Sequence, residues 1–276
     1  MSLLEKIEIV NVSDVGKCRP HNEDSTLSDS SEGLVILADG MGGYKGGEVA
    51  SAIAVTSIHF EILAGLGKIQ RGKKTENSEI SLESDVIKNA ITLANSEIYS
   101  TAQTDQQCQG MGTTIIVALF HNNKCTIGHV GDSRAYRKRA NTFTQITKDH
   151  SLIQELIDRG MYTPEEAVKH APKNLVTRAM GIDSQVEVDI GEDIVEPGDI
   201  YMLCSDGLND MVGDEEIHLT LSKYSANLAQ ASDELVRLAN TKGGKDNISI
   251  ILVKVLEEFS SSDGGIIKKL KSRLFQ

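Results

Sequence analysis

Six carboxylates in this sequence stand at the edges of apolar runs. Asp39 closes "LVILAD" and leads into five glycines between positions 40 and 47, and Asp206 closes "YMLCSD". Asp246 directly precedes "NISIILV", and Asp132 directly follows "CTIGHVG". Glu23 and Asp24 lie beyond the first apolar alternation, "IEIVNV". A single Asp-Gly pair is a hairpin turn signal. Repetition at so many strand edges points instead to one shared site. Carboxylates drawn together repel strongly unless cations neutralise them. With no nearby cysteine or histidine cluster, the donors are oxygen only, which suits Mg²⁺ or Mn²⁺ rather than zinc. Gly40, after Asp39, exposes its backbone carbonyl as a further ligand and lets a metal approach closely. Two ions in such a set lower the pKa of a water and clamp a phosphoryl group for in-line attack. Arg19 offers a planar fork matched to phosphate oxygens.

The bulk properties fit this chemistry. The chain has 276 residues, 39% hydrophobic and 25% charged, enough for one large domain or two small ones with a sizeable core. Its net charge of −12 speaks against nucleic acid, whose binders carry basic patches. Cys18, Cys108, Cys125 and Cys204 are far apart and suggest neither a zinc site nor a disulfide framework, so free thiols in a reducing compartment are expected. The start, "MSLLEKIEIV", has charges where a signal peptide needs an apolar run. No window is expected to reach the roughly 20 apolar residues of a membrane helix. A cytoplasmic protein is expected.

The elements that must carry these acids follow from periodicity. Strands are predicted over 7–12, 33–40, 113–120 and 125–130, with Asn122-Asn123 turning the last pair into a hairpin. "AYRKR" and "FTQIT" make another hairpin around Asn141, and "VEVDI", "DIYMLCSDG" and "NISIILVKV" are further strands. From Glu48, Val49, Ile53, Phe60 and Leu63, with Ile58 and Ile62 beside them, recur at helical spacing, and a helix over 82–102 is expected to bury Val86, Ala90, Leu93 and Ala94. Between them, 67–84 reads as a solvated loop. Short helices follow at "SLIQELIDRG" and "TPEEAVKH", the latter with a Thr163–Glu166 capping box, and a longer one at 226–240. Hairpins dominate while the long helices cluster in pairs. That favours an α+β fold with antiparallel sheets packed face to face and helices outside, rather than a doubly wound parallel sheet. The domain is expected to span 1–256. After it, "EEFSSSDGG" reads as flexible and "IIKKLKSRLF" as a basic amphipathic tail at 257–276.

"RPHNED", "ADGMGG", "GMGTT", "GDSRAY", "VTRAMG", "CSDGL" and "KDNIS" occur in the order and spacing of the type 2C metal-dependent serine/threonine phosphatases. Over residues 7–255 the chain resembles the bacterial members of that family. The resemblance implies a four-layer α-β-β-α sandwich with metals at one end. It implies that Asp39 bridges two metals, that Gly40 adds its carbonyl, and that Asp206 and Asp246 complete the first metal site. Glu23 helps position the second through water. Asp132, with Asp206, matches a third, weaker site, and Arg19 matches the phosphate clamp. The segment between "KDHS" and "VTRAMG" matches a flap that influences substrate choice. Asp24 is weighed as a hydrogen-bond partner of a metal-held water. Thr113 and Thr114 are expected to be strand residues, Arg134 to brace the "GDSR" turn, and His150 to cap the helix that follows it.

One position departs from the pattern. Many animal members carry a histidine two residues beyond the bridging aspartate, where this chain has Met41; some bacterial members have one near the glycine run, where it has Tyr44. The resemblance implies a Mg²⁺/Mn²⁺-dependent hydrolase acting on phosphoserine and phosphothreonine by direct water attack. Its implied partners are phosphoproteins, including a bacterial Ser/Thr kinase and that kinase's substrates. A monomer is expected. A catalytically silent phosphoprotein-binding regulator is the alternative, which retention of Glu23, Asp39, Asp206 and Asp246 argues against. A two-metal nuclease is disfavoured by the acidic balance. For the tail, a plain disordered end is weighed against docking on a partner or an anionic membrane.

Overall fold

The computed structural model describes residues 3–43, 45–73, 81–163, 166–167 and 175–260. Within them lie β1 (Ile7–Asp14), β2 (Asp24–Asp29), β3 (Leu34–Met41), β4 (Gly112–Thr113), β5 (Ile115–His121) and β6 (Lys124–Val130). Next come β7 (Arg134–Arg139), β8 (Thr142–Gln145), β9 (Asp189–Ile194), β10 (Ile200–Cys204) and β11 (Ile248–Val255). The helices are α1 (Gly46–Leu66), α2 (Leu82–Thr104), α3 (Leu152–Asp158), α4 (Asp206–Asn209), α5 (Asp214–Lys223) and α6 (Leu228–Thr241). One sheet runs β1-β11-β10-β7-β8, and the other β2-β3-β5-β6-β9 with β4 paired to the end of β3. All named pairings are antiparallel.

The period of two along each strand sorts the side chains into layers. On β3, Leu34, Ile36 and Ala38 pack against α1 and α2, while Val35 and Leu37 face the other sheet. On β11, Ile251 and Val253 meet them in the gap between sheets, and Ile250 and Leu252 turn outward to α5 and α6. The result is the expected four-layer sandwich. The Asn122-Asn123 hairpin is also as expected, with φ of 51° and 59° at its two turn residues. Thr163 and Glu166 form their capping box: the Glu166 amide donates to the Thr163 hydroxyl, and the Glu166 carboxylate accepts from the Thr163 amide.

Several expectations are corrected. Strand β2, "DSTLSD", has no apolar run and pairs at the sheet edge beside β3. Strand β9 begins at Asp189, not at Val186. Between β10 and α6 lie two short helices, α4 and α5, to which the sequence reading assigned no element. The expected inward faces of the long helices are met only in part: Ile58, Ile62, Ala90 and Ala94 are buried, but Phe60 is 68% and Leu93 50% exposed, while Ala50 and Ala54 of α1 and Ile87, Ile91 and Ile98 of α2 are buried. Alanines let α1 sit close on β3, so small residues rather than the bulkiest set the contact. Helix α1 is also long and apolar enough to cross a membrane by length and composition, against the expectation that no window would be. Here its buried face packs on the sheet and on α2.

Packing continues past residue 256. Phe259 is 8% exposed in the inter-sheet core, its amide donates to Asn123, and Glu257 pairs with Lys6. The rest of the expected tail, 261–276, lies outside the described residues. Truncation after Leu256 should therefore melt about 6–10 °C below truncation after Ser260, from the loss of one buried aromatic. Equal melting temperatures would show that Phe259 contributes nothing to the core.

Candidate metal centre

Asp39 continues the side of β3 that carries Val35 and Leu37, so the strand's own alternation aims it into the gap between the sheets. Asp24 is its register partner on β2. The β3 end is fixed from three sides. The Asp39 amide donates to Thr114 Oγ1 at 3.0 Å, and the Asp39 carbonyl accepts from the Thr114 amide at 2.8 Å and from Thr113 Oγ1 at 2.9 Å. Thr113, in β4, and Thr114, which lies between β4 and β5 and not in a strand as expected, are thus anchors of the aspartate.

The glycine run serves close approach. A Cβ on Gly40 would lie 2.1 Å from the Gly47 carbonyl oxygen, and one on Gly47 would lie 2.8 Å from Glu23 Oε1. Only glycines let the first turn of α1 seat on the strand end beside Glu23. Tyr44, inside this run, lies outside the described residues. From the opposite sheet, β10 ends at Cys204 and the chain turns directly into α4, whose first residue is Asp206. A Cβ on Gly207 would come 2.0 Å from the Asn247 carbonyl oxygen, so that turn presses against the residue following Asp246.

Electrostatics locate the meeting point. Burial holds the Asp39 carboxyl well above the usual carboxylate range, and the charges of Asp24, Asp206, Asp132 and Asp246 add to the rise. Burial, then Asp132, Asp210, Asp246 and Asp24, push Asp206 up to about 8. Asp132 rises to about 6 through burial and Asp149, with Asp210 adding, and Glu23 rises through burial despite Arg19. Asp24 is pushed to about 6, chiefly by burial. It accepts from the Ser205 hydroxyl at 2.9 Å, while its other oxygen, also buried, has no hydrogen-bond partner among the described residues. Acids from both sheets therefore crowd into one place and raise one another. An oxygen-only cluster with an orphaned carboxylate oxygen and glycine walls fits divalent cations of the Mg²⁺/Mn²⁺ kind.

Arg19 is half-exposed and differs from a freely extended fork. It donates to Asp246 Oδ2 at 2.6 Å, and that bond is the main cause of its raised pKa. The guanidinium thus lies against one of the acids expected to hold a metal. Sequence reading gave no role to Asn247, which holds this loop in place. Its Oδ1 accepts from the Glu23 amide at 2.8 Å, and its Nδ2 donates to the carbonyls of Val15 and His21 at 2.9 and 3.0 Å. The only signal for it was its place in "KDNIS". Asp210, four residues beyond Asp206, was also missed; its charge acts on both Asp132 and Asp206. Arg134 braces its turn as expected, donating to Asp149 through Nε and Nη2 and to the Tyr136 hydroxyl.

A profile of the protein phosphatase 2C family matches residues 19–252. The chain belongs to that family. Among curated type 2C relatives, the protein phosphatase PhpP of Streptococcus pneumoniae is 35% identical over 255 residues, covering 91% of this chain and 99% of that protein. The solved type 2C structures agree. The serine/threonine phosphatase PstP/Ppp of Mycobacterium tuberculosis superposes with a TM-score of 0.80 at 35% identity, over 91% of this chain and all of that one. A PstP catalytic domain solved with two manganese ions gives 0.74 at 34% identity, over 91% and 99%.

Proposed function

We propose that this protein is a Mn²⁺- or Mg²⁺-dependent serine/threonine protein phosphatase that transfers a phosphoryl group directly to water. The observation that carries the reading is the crowding of Asp39, Asp132, Asp206 and Asp246, drawn from opposite sheets, so close that the charges of the other three all act on Asp39. Asp39, with the Gly40 carbonyl, would hold two ions; Asp206 and Asp246 would complete the first site. Glu23 would orient water at the second, and Asp132 with Asp206 would hold a weaker third, with Asp210 at its rim. Asp24 would keep its free oxygen for a water beside the ions. Bound ions would supply positive charge to the phosphoryl oxygens and lower the pKa of the attacking water. PhpP and PstP are named as phosphatases, and the family of this chain is theirs. The regulator-only reading lacks support, because every expected carboxylate is present and gathered.

No cysteine offers an alternative nucleophile in the gap. Burial raises the thiols of Cys108 and Cys125 and pushes Cys204 up to about 12, and the exposed Cys18 points its thiol to the Gly243 carbonyl at 3.7 Å. The partners we infer are phosphoproteins, including a Ser/Thr kinase and its substrates, met as a monomer in the cytoplasm. Turnover of a phosphoserine peptide with manganese, and its loss in chelator, is the test; metal-independent or absent turnover by folded protein would refute the reading. Arg19→Ala should raise KM for phosphopeptide by about tenfold with kcat changed less, because a phosphate clamp contributes ground-state binding. A large kcat loss at unchanged KM would move Arg19 into the chemical step.

A further inference from the structure

His150 does not cap α3. Ser151 does, its hydroxyl accepting from the Gln154 amide at 3.3 Å. The His150 side chain turns inward instead, 8% exposed, and grips Gly131 from both sides. Its Nδ1 accepts from the Gly131 amide at 3.0 Å, and its own amide donates to the Gly131 carbonyl at 2.9 Å. Gly131 precedes Asp132 and holds φ of +110°, where a side chain would be strained; a Cβ there would also strike Thr114 at 2.7 Å.

The other face of His150 meets the segment 151–176 at its two roots. Ser151 and Val176 bridge, the Leu152 amide donates to Leu175, and the Thr177 amide donates to the His150 carbonyl at 2.8 Å. With Nδ1 accepting, the ring proton sits on Nε2, 3.3 Å from Asp189 Oδ2. Arg178 Nη1 is 3.0 Å from the same nitrogen and donates to Asp189 Oδ1 at 2.7 Å. The ring stacks on His129 with centroids 4.7 Å apart, and His129 Nε2 pairs with the Lys148 carbonyl. His129, His150 and Asp189 lie close enough to suggest a second metal group, but the Arg178 guanidinium already supplies a cation there.

A continuous set of bonds leads on from Gly131. Ser133, two residues later, shares a hydrogen bond with Thr114 Oγ1 at 2.8 Å, and Thr114 holds both the amide and the carbonyl of Asp39. We propose that His150 is a positioning residue. Through its Nδ1 bond to Gly131 it sets the Asp132 carboxylate for the weaker cation site and ties that site to the root of segment 151–176. This inference rests on the metal assignment of Asp132 made above. Burial and His129 keep the imidazole pKa low, so it remains the neutral acceptor that the bond requires.

The conservative variants separate positioning from mere packing. In His150→Asn, Oδ1 falls where Nδ1 was and can accept from Gly131; His150→Gln and His150→Leu lose that acceptor. Manganese titrations of folded wild type and variants, by calorimetry, are read beside phosphopeptide kinetics. His150→Gln and His150→Leu should weaken the weakest manganese site by about tenfold and raise KM, the size seen when a group orienting a ligand is lost. His150→Asn should stay within about threefold of wild type, and its Gly131 amide should keep its protection from hydrogen exchange. If His150→Leu fails to fold, His150→Gln carries the comparison. Wild-type isotherms in His150→Gln, or a His150→Asn as impaired as His150→Gln, would overturn the proposal. A wild-type protein that binds manganese but turns over no phosphopeptide would fail the phosphatase reading and leave this test of His150 standing on the isotherms.

Discussion

Asp39→Asn should lower kcat on a phosphoserine peptide by at least about a thousandfold, while the metal-free protein melts at a higher temperature than wild type. The two effects share one cause. Asp39 is the carboxylate on which the charges of Asp24, Asp206, Asp132 and Asp246 converge, and burial leaves it poorly solvated. An amide of nearly the same shape removes one member of a repelling set, so the empty cluster relaxes. The same change removes the negative oxygen proposed to be shared by two cations. Cation stabilisation of charge in phosphoryl transfer amounts to several kcal/mol, and each 1.36 kcal/mol is about a factor of ten in rate. Purified Asp39→Asn with kcat within tenfold of wild type would remove Asp39 from the centre of the mechanism. Lost activity with a lower metal-free melting temperature would mean that the carboxylate stabilises the fold, against the electrostatic account.

Chelation should make stability fall with rising pH, and manganese should cancel the fall. Asp24 and Asp132 are raised to about 6, Asp206 to about 8 and Asp39 well above its ordinary value. Raised folded-state pKa values mean that the native protein holds these protons more tightly than the unfolded chain. The stability they contribute is full below the unfolded carboxylate range, near pH 4, and is lost as pH climbs through 6 and then 8. Chelated protein should therefore melt lower at pH 8 than at pH 5. Divalent ions bind the deprotonated carboxylates, so their stabilisation runs the other way and is larger at pH 8. At a hundredfold excess over the dissociation constant, manganese should raise the melting temperature by about 5–10 °C at pH 8 and by clearly less at pH 5. A chelated protein equally stable at both pH values, or a manganese shift that ignores pH, would show that these acids are not mutually strained.

Four of the acids were legible because Asp39, Asp132 and Asp206 follow apolar runs and Asp246 precedes one, and a run that ends on Asp-Gly, as at Asp39 and Asp206, is visible in one dimension. Hairpins such as the one at Asn122-Asn123 were legible for the same reason: turn residues needing positive φ flank alternating or apolar segments. Strand β2 was not, since "DSTLSD" owes its place to edge pairing with β3 and has little buried surface of its own. The inward faces of α1 and α2 were legible only in part. The helical spacing found Ile58, Ile62, Ala90 and Ala94, but it also marked Phe60 and Leu93, whereas close packing on the sheet selects Ala50 and Ala54. His150 was misread because "DHS" before a helix fits a cap, and only the folded chain brings Gly131 against its ring. Most of all, sequence order cannot say that Asp39 and Asp206 share a site. One belongs to the β2-β3-β5-β6-β9 sheet and the other follows a strand of its opposite. Strand parity aims Asp39 into the gap, but face-to-face packing of the sheets, long-range and driven by burial of Val35, Leu37, Leu203 and Ile251, decides which charges it meets there.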